Sequence, residues 1–187
     1  VGKGPSAMSI SASPKVSTFG NNVLIEGTVT DISAGTEQSE QAARFPSGIP
    51  AVSDESMTEW MRYVYQQGPR PTTATGVPVT LSVVDANGNY RDIGSTTSDA
   101  DGFYSYNWTP DIEGKYTVYA SFEGSESYWP SHAVTAFAVD QAEATATPQP
   151  TQAPSAADLY FLPAIAAVLV AVVICIVLVA LLFMKKP

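Results

Sequence analysis

Leu159 to Met184 is an unbroken run of 26 residues, LYFLPAIAAVLVAVVICIVLVALLFM, without a single charge. No ordinary soluble domain carries such a segment, because a helix that is apolar on every side has no face to give to water. At about 1.5 Å per residue the run extends roughly 39 Å as a helix, enough to cross a hydrocarbon layer of about 30 Å with some tilt. We read it as a transmembrane helix over 159–184. A secretory leader is excluded, since the apolar stretch is too long and KKP follows where a small-residue cleavage site would stand. Lys185 and Lys186 on one flank against Asp158 on the other place the tail, 185–187, in the cytoplasm and residues 1–158 outside. Tyr160 and Phe161 at the outer end and Phe183 at the inner end suit interfacial aromatic belts, and Pro163 is expected in the first turn, where its missing N–H costs little. An outward-facing N-terminal region needs an export signal. The first residues, VGKGPSAM, contain none, so a signal peptide or a larger upstream domain is expected to have been removed.

Charge narrows the partners. The chain has nine basic and 18 acidic residues; without Lys185 and Lys186, seven basic residues face 18 acidic ones, a net of −11 for residues 1–158. Nucleic acid is a poor partner for that surface. The one cysteine, Cys175, lies mid-span, which rules out an intrachain disulfide framework or a thiolate cluster, and it reads as a small apolar side chain. The one histidine, His132, supplies a single ligand at most. No cofactor is expected.

Ahead of the span, residues 141–157, QAEATATPQPTQAPSAA, hold three prolines and no aromatic residue. Such a composition does not bury enough surface to fold and reads as an extended Pro/Thr/Ala linker. Residues 1–140 carry short runs rich in Val, Ile, Thr and Tyr, punctuated by Gly, Pro, Asn and Asp, the pattern of a mainly β, Ig-like antiparallel sandwich. Strands are expected at about 8–11, 22–30, 77–85, 90–97, 103–108, 114–122 and 132–140. In VTLSVVD, Val79, Leu81 and Val83 alternate with other residues, and in YTVYASF, Tyr116, Val118, Ala120 and Phe122 do the same, so each strand turns one face inward. Asn87-Gly88 and Asp101-Gly102 mark tight turns, and Tyr116 just after Gly114 stands where a tyrosine-corner hydroxyl bonds back to the chain. One helix interrupts the β pattern over about 54–67. Ser53 is its expected cap, Asp54 and Glu55 sit in its first turn, and Met57, Trp60, Met61 and Val64 recur at helical spacing before Gly68-Pro69. Trp60 and Met61 are expected to be buried and Arg62 and Gln66 exposed. Residues 32–52 read as a long surface loop.

The parts TEWMRYVY, NWTPDIEGKYTVYA and GSESYWPS, followed by the linker and terminal helix, give the chain a resemblance to a family of methanogen-type archaeal surface proteins. In that family a C-terminally anchored Ig-like module often ends a longer PQQ-like β-propeller protein, and the resemblance implies a surface-exposed, membrane-proximal module. No propeller repeat occurs in this sequence.

Candidate chemistry is sparse. Asp99 and Asp101 resemble the start of a calcium loop, but Trp108 to Pro110 stand where its last acidic ligand belongs, so a hairpin turn is the better reading; an inter-loop calcium site drawing on Asp85 and Asp111 as well stays open. Asn107-Trp108-Thr109 is a glycosylation sequon. Tyr63, Tyr65, Tyr128 and Trp129 are contact candidates for a glycan or a protein, whereas Trp60 fits core packing. Ala164, Ala167 and Ala171 would allow close helix approach in the membrane. No nucleophile, base and orienting group come together, so no enzyme is expected. The expected role is a membrane-anchored scaffold, stalk or adhesion element touching lipid and other surface or membrane proteins, copies of itself included. The alternatives are an accessory single-span subunit of a membrane complex and a glycan-binding module.

Overall fold

The computed structural model describes residues 2–142 and 155–184. The expected linker falls largely on 143–154, and Lys185 and Lys186 lie beyond 184; these, with the side chain of Phe183, are outside the described residues.

Two sheets form the first unit. One is built on β3 (Val23–Asp31), flanked by β1 (Ser6–Ser13) on one side. Its other side is shared by the two-residue β4 (Ile49–Pro50) and by β7 (Phe103–Trp108). The second sheet has the order β2 (Val16–Thr18), β9 (Ser131–Asp140), β8 (Gly114–Phe122), β5 (Pro78–Val84) and β6 (Tyr90–Thr97). This is the Ig-like sandwich that the strand pattern indicates. It is not wholly antiparallel, because β2 runs parallel to β9 after the chain crosses between sheets at the cis Ser13–Pro14 bond.

Alternation sets the core. Val23, Ile25 and Val29 of β3 face Val79, Leu81, Val83, Tyr116, Val118 and Phe122 of the second sheet, all essentially fully buried. Two glycines let tyrosines lie across the sheets. Gly27 stands opposite Tyr104, whose hydroxyl passes over it to donate to Ser9 O at 2.7 Å, and Gly94 makes room for Tyr106, which donates to Ile93 O at 2.7 Å. The Tyr116 hydroxyl donates to Ile112 O and accepts from Ile112 N–H, both at 3.1 Å, so the corner expected from the sequence is formed.

The inserted helix is α2 (Met57–Tyr65), a little shorter than expected. Ser53 does not cap it. Its hydroxyl bonds to Ser56 and Thr75, and Thr75 N–H donates to Ser56 Oγ, which ties the entry of the helix to the returning chain. At the other end Gln67, φ 56°, takes the left-handed position usually given to glycine, and Gly68 N–H closes back on Arg62 O at 3.1 Å. Trp60 and Val64 are buried with Ile49 and Val52; Met61 is only half-buried, while Arg62 and Gln66 are exposed.

Residues 32–52 are not a plain surface loop. They hold a 3-10 turn (Ala34–Glu37) and a short helix, α1 (Ser39–Arg44). Arg44 donates to Val64 O at 3.0 Å and Tyr63 O at 3.2 Å, satisfying carbonyls that the end of α2 leaves free.

The second unit is α3 (Ala156–Met184), which contains the 23-residue stretch Leu159–Leu181, long and apolar enough to span a membrane. Because α3 begins at Ala156, two residues of the expected linker are helical and Pro163 lies inside the helix instead of in its first turn. Its missing N–H leaves the Leu159 carbonyl without the ordinary helical partner.

Candidate functional site

The four acidic residues weighed for calcium are occupied in three separate turns, Asp99 and Asp101 sharing one. Asp99 Oδ1 accepts Asp101 N–H at 2.8 Å and Phe103 N–H at 3.0 Å, while Asp101 pairs with Arg70 at 2.5 Å. Asp85 takes both N–H groups of Asn87 and Asn89 and the Asn89 amide, and that amide does most to hold its carboxyl below the usual range. Asp111 grips Arg91 through both oxygens; Arg91 holds the Asp111 carboxyl down at about 2, against a smaller upward push from burial. Among the described residues no three His, Cys, Asp or Glu side chains gather for a metal ion. The thermal midpoint of the full-length protein in detergent is therefore expected to stay within about 1 °C on adding chelator. A fall of more than about 5 °C, roughly 1 kcal/mol for a domain of this size, would restore the calcium reading.

The aromatic contact candidates separate by burial. Trp129 is 57% exposed, with Lys3 Nζ 5.6 Å from its ring centre, and Tyr65 is 38% exposed. Tyr63 is half-buried, edge-on to Phe45 at 5.9 Å and 5.4 Å from Trp60, with the Arg44 guanidinium over its ring. It packs α2 down more than it presents a surface. Tyr128 is 2% exposed and corrects the expectation of a contact residue. The cause lies far away in sequence, since Asp54 takes Ser125 Oγ at 2.9 Å and the N–H groups of Glu126 and Ser127 at 3.0 Å, folding that loop so that Tyr128 turns into the core. Asn107 is exposed on β7, opposite Leu24, and His132 is exposed at the start of β9. Tyr160, Phe161 and Cys175 are exposed on α3.

Desolvation tends to raise the Asp54 pKa, but the hydrogen bonds from Ser127, Glu126 and Ser125 outweigh it, and the net shift is downward. A carboxyl lowered on folding stabilises the fold above its unfolded-state pKa, and that contribution disappears as pH falls through the folded value. Asp54→Ala should thus cost about 1 kcal/mol at neutral pH, since the group is largely solvated, and the gap from wild type should narrow as pH falls through and below the ordinary carboxylate range. Equal stability of the two at pH 7 would show that the loop needs no such anchor.

Besides a hollow of 470 Å³ between α1 and the end of α2, two others open among the described residues of the first unit. One, of 560 Å³, runs over β1, β3 and β7, with Ser9, Thr28, Glu26 and Asp99 around the half-exposed ring of Phe103. The other, of 430 Å³, lies between the end of β3, α2 and the loop folded by Asp54, and is lined by Asp31, Met57, Met61, Tyr65, Glu126 and Tyr128 among others. Burial, and secondly the Asp31 charge, raise the hydroxyl pKa of both Tyr65 and Tyr128. Asp31 escaped the sequence reading. The signal was there in VLIEGTVTD, where strict alternation from Val23 carries the aspartate to the inward side.

No protein-family model matches the chain. No curated protein matches it either. Among solved structures, the chain is similar to the CARDB domain of a Pyrococcus furiosus protein, solved in complex with di-metal ions. The identity is 12%, the TM-score 0.38, and the match covers 74% of this chain and 96% of that one.

Proposed function

We propose that the protein is a non-catalytic cell-surface module, an Ig-like sandwich held outside the cell by one membrane helix and serving as scaffold, stalk or assembly element. The observation that carries this reading is α3, whose stretch Leu159–Leu181 exposes only uncharged, mostly aliphatic side chains and so needs lipid or other apolar helices around it. The occupied carboxylates of the turns support a structural role for the sandwich. The resemblance to archaeal surface modules supports the placement at the cell surface. Lipid and other surface or membrane proteins, copies of this chain included, are its partners.

Purification from native membranes in mild detergent tests the proposal. The chain should leave the membrane alone or as a homo-oligomer; stoichiometric, salt-resistant co-purification with integral membrane subunits would make it an accessory subunit instead. The groove at Phe103 favours a second reading as a glycan-binding module, because hydroxyls and carboxylates beside an exposed ring suit a sugar. Saturable binding of an oligosaccharide that Phe103→Ala abolishes would establish that reading.

A further inference from the structure

Asp31 is the last inward position of β3, where Val23, Ile25 and Val29 precede it with aliphatic side chains, and the residue is 5% exposed. Its Oδ1 is used by the turn that follows: Ser33 donates its N–H at 2.8 Å and its hydroxyl. Oδ2 has a single long contact, 3.4 Å from the Tyr128 hydroxyl. An ionised carboxylate accepts about four hydrogen bonds, so Oδ2 is under-used. Among the described residues none of the ion pairs reaches Asp31, and no Lys, Arg or His lines the cavity it borders. Three donors but no cation face this carboxylate among the described residues, so a cation in the cavity would give it a charge partner.

The other walls narrow the cation. Glu126 adds a second carboxylate, Tyr65 and Tyr128 contribute rings, and Met57 and Met61 contribute thioethers. Aromatic faces and polarisable sulfur suit an organic cation with an alkyl stem. A bare metal ion is poorly served, since no third carboxylate, His or Cys joins Asp31 and Glu126 in the lining. The volume, 430 Å³, falls within the ordinary range for small ligands, about 300 to 1,000 Å³. The net negative charge of residues 1–158 also draws cations toward the surface.

We propose that this cavity binds an organic ammonium group, with the charged amine at Asp31 Oδ2 and its alkyl stem against Met57, Met61 and Tyr65. The same chemistry is offered by a free alkylamine and by a lysine side chain of a partner protein.

Of the chain's four methionines, Met57 and Met61 line the cavity, whereas Met8 belongs to β1 and Met184 to the end of α3. Methyl-labelled methionine in the full-length protein in detergent micelles therefore reports the site directly. Titration with n-butylammonium at fixed ionic strength should shift the Met57 and Met61 signals saturably and leave Met8 and Met184 in place, and n-butanol at equal concentration should shift neither pair. Asp31→Asn should weaken binding at least tenfold. Should that variant fail to fold, Tyr65→Ala, which keeps the Asp31 turn, is expected to weaken binding as well. A lysine capped at both backbone ends distinguishes the sources: comparable binding indicates a protein side chain, and exclusion with butylammonium still bound indicates a free amine. Absence of saturable shifts, equal effects of butanol, or unchanged binding in the folded variant would overturn the assignment.

Discussion

Trp60→Ala is expected to lower the stability of the sandwich by about 3 to 5 kcal/mol. The ring is 1% exposed and fills the space between α2 and the chain around β4, against Ile49, Val52 and Val64. Phe45 and Tyr63 stand 6.3 and 5.4 Å from it in tilted arrangements, so truncation removes ring contacts in addition to buried area. Collapse around the hole is resisted from both sides, because α1 is fixed to the last turn of α2 through Arg44. The indole Nε1 is buried without a hydrogen-bond partner, so Trp60→Phe keeps most of the packing, loses no hydrogen bond, and should cost less than half as much. Denaturant unfolding of the full-length protein measures both variants. A cost under about 1 kcal/mol for alanine would move Trp60 from the core to a contact role.

Gly27→Ala should be of similar size, at least about 3 kcal/mol, although it adds only one methyl group. A Cβ at that position would lie 2.0 Å from Ser9 O and 2.6 Å from the Tyr104 hydroxyl. The first neighbour is backbone of β1 and cannot step aside without opening the β1–β3 ladder, and displacing the second breaks the 2.7 Å bond from Tyr104 to Ser9 O. Overpacking of this kind costs about 1 to 3 kcal/mol before the hydrogen bond is counted, and a buried hydroxyl left without a partner adds about 1 to 3 more. Tyr104→Phe combined with Gly27→Ala should recover little, because the backbone clash remains. Wild-type stability of Gly27→Ala would mean that β1 does not lie against β3 in this register.

The long, regular strands were legible because alternation and glycine punctuation agree: 90–97, 103–108 and 114–122 match their strands to the residue. The short ones were not. β2 buries only Ser17, and β4 is two residues long with a proline, so neither carries a period. The short helix α1 was missed for a related reason, since SEQAAR has no apolar stripe and docks through the Arg44 guanidinium on carbonyls 19 and 20 residues away. Tyr128 was misplaced because its burial depends on Asp54 holding a loop more than 70 residues downstream, a relation that local spacing does not express. The cavity beside Asp31 is intermediate. Alternation along β3 already turns the carboxylate inward, but its other walls come from α2 and from residues 126–128, and only the fold brings them together.

If the sandwich stands outside the cell on a single helix, protease added to intact cells or spheroplasts expressing the full chain reaches it. The sandwich should then be digested while a short fragment containing Leu159–Leu181 stays with the membrane. Survival of the whole chain until the cells are lysed would contradict it.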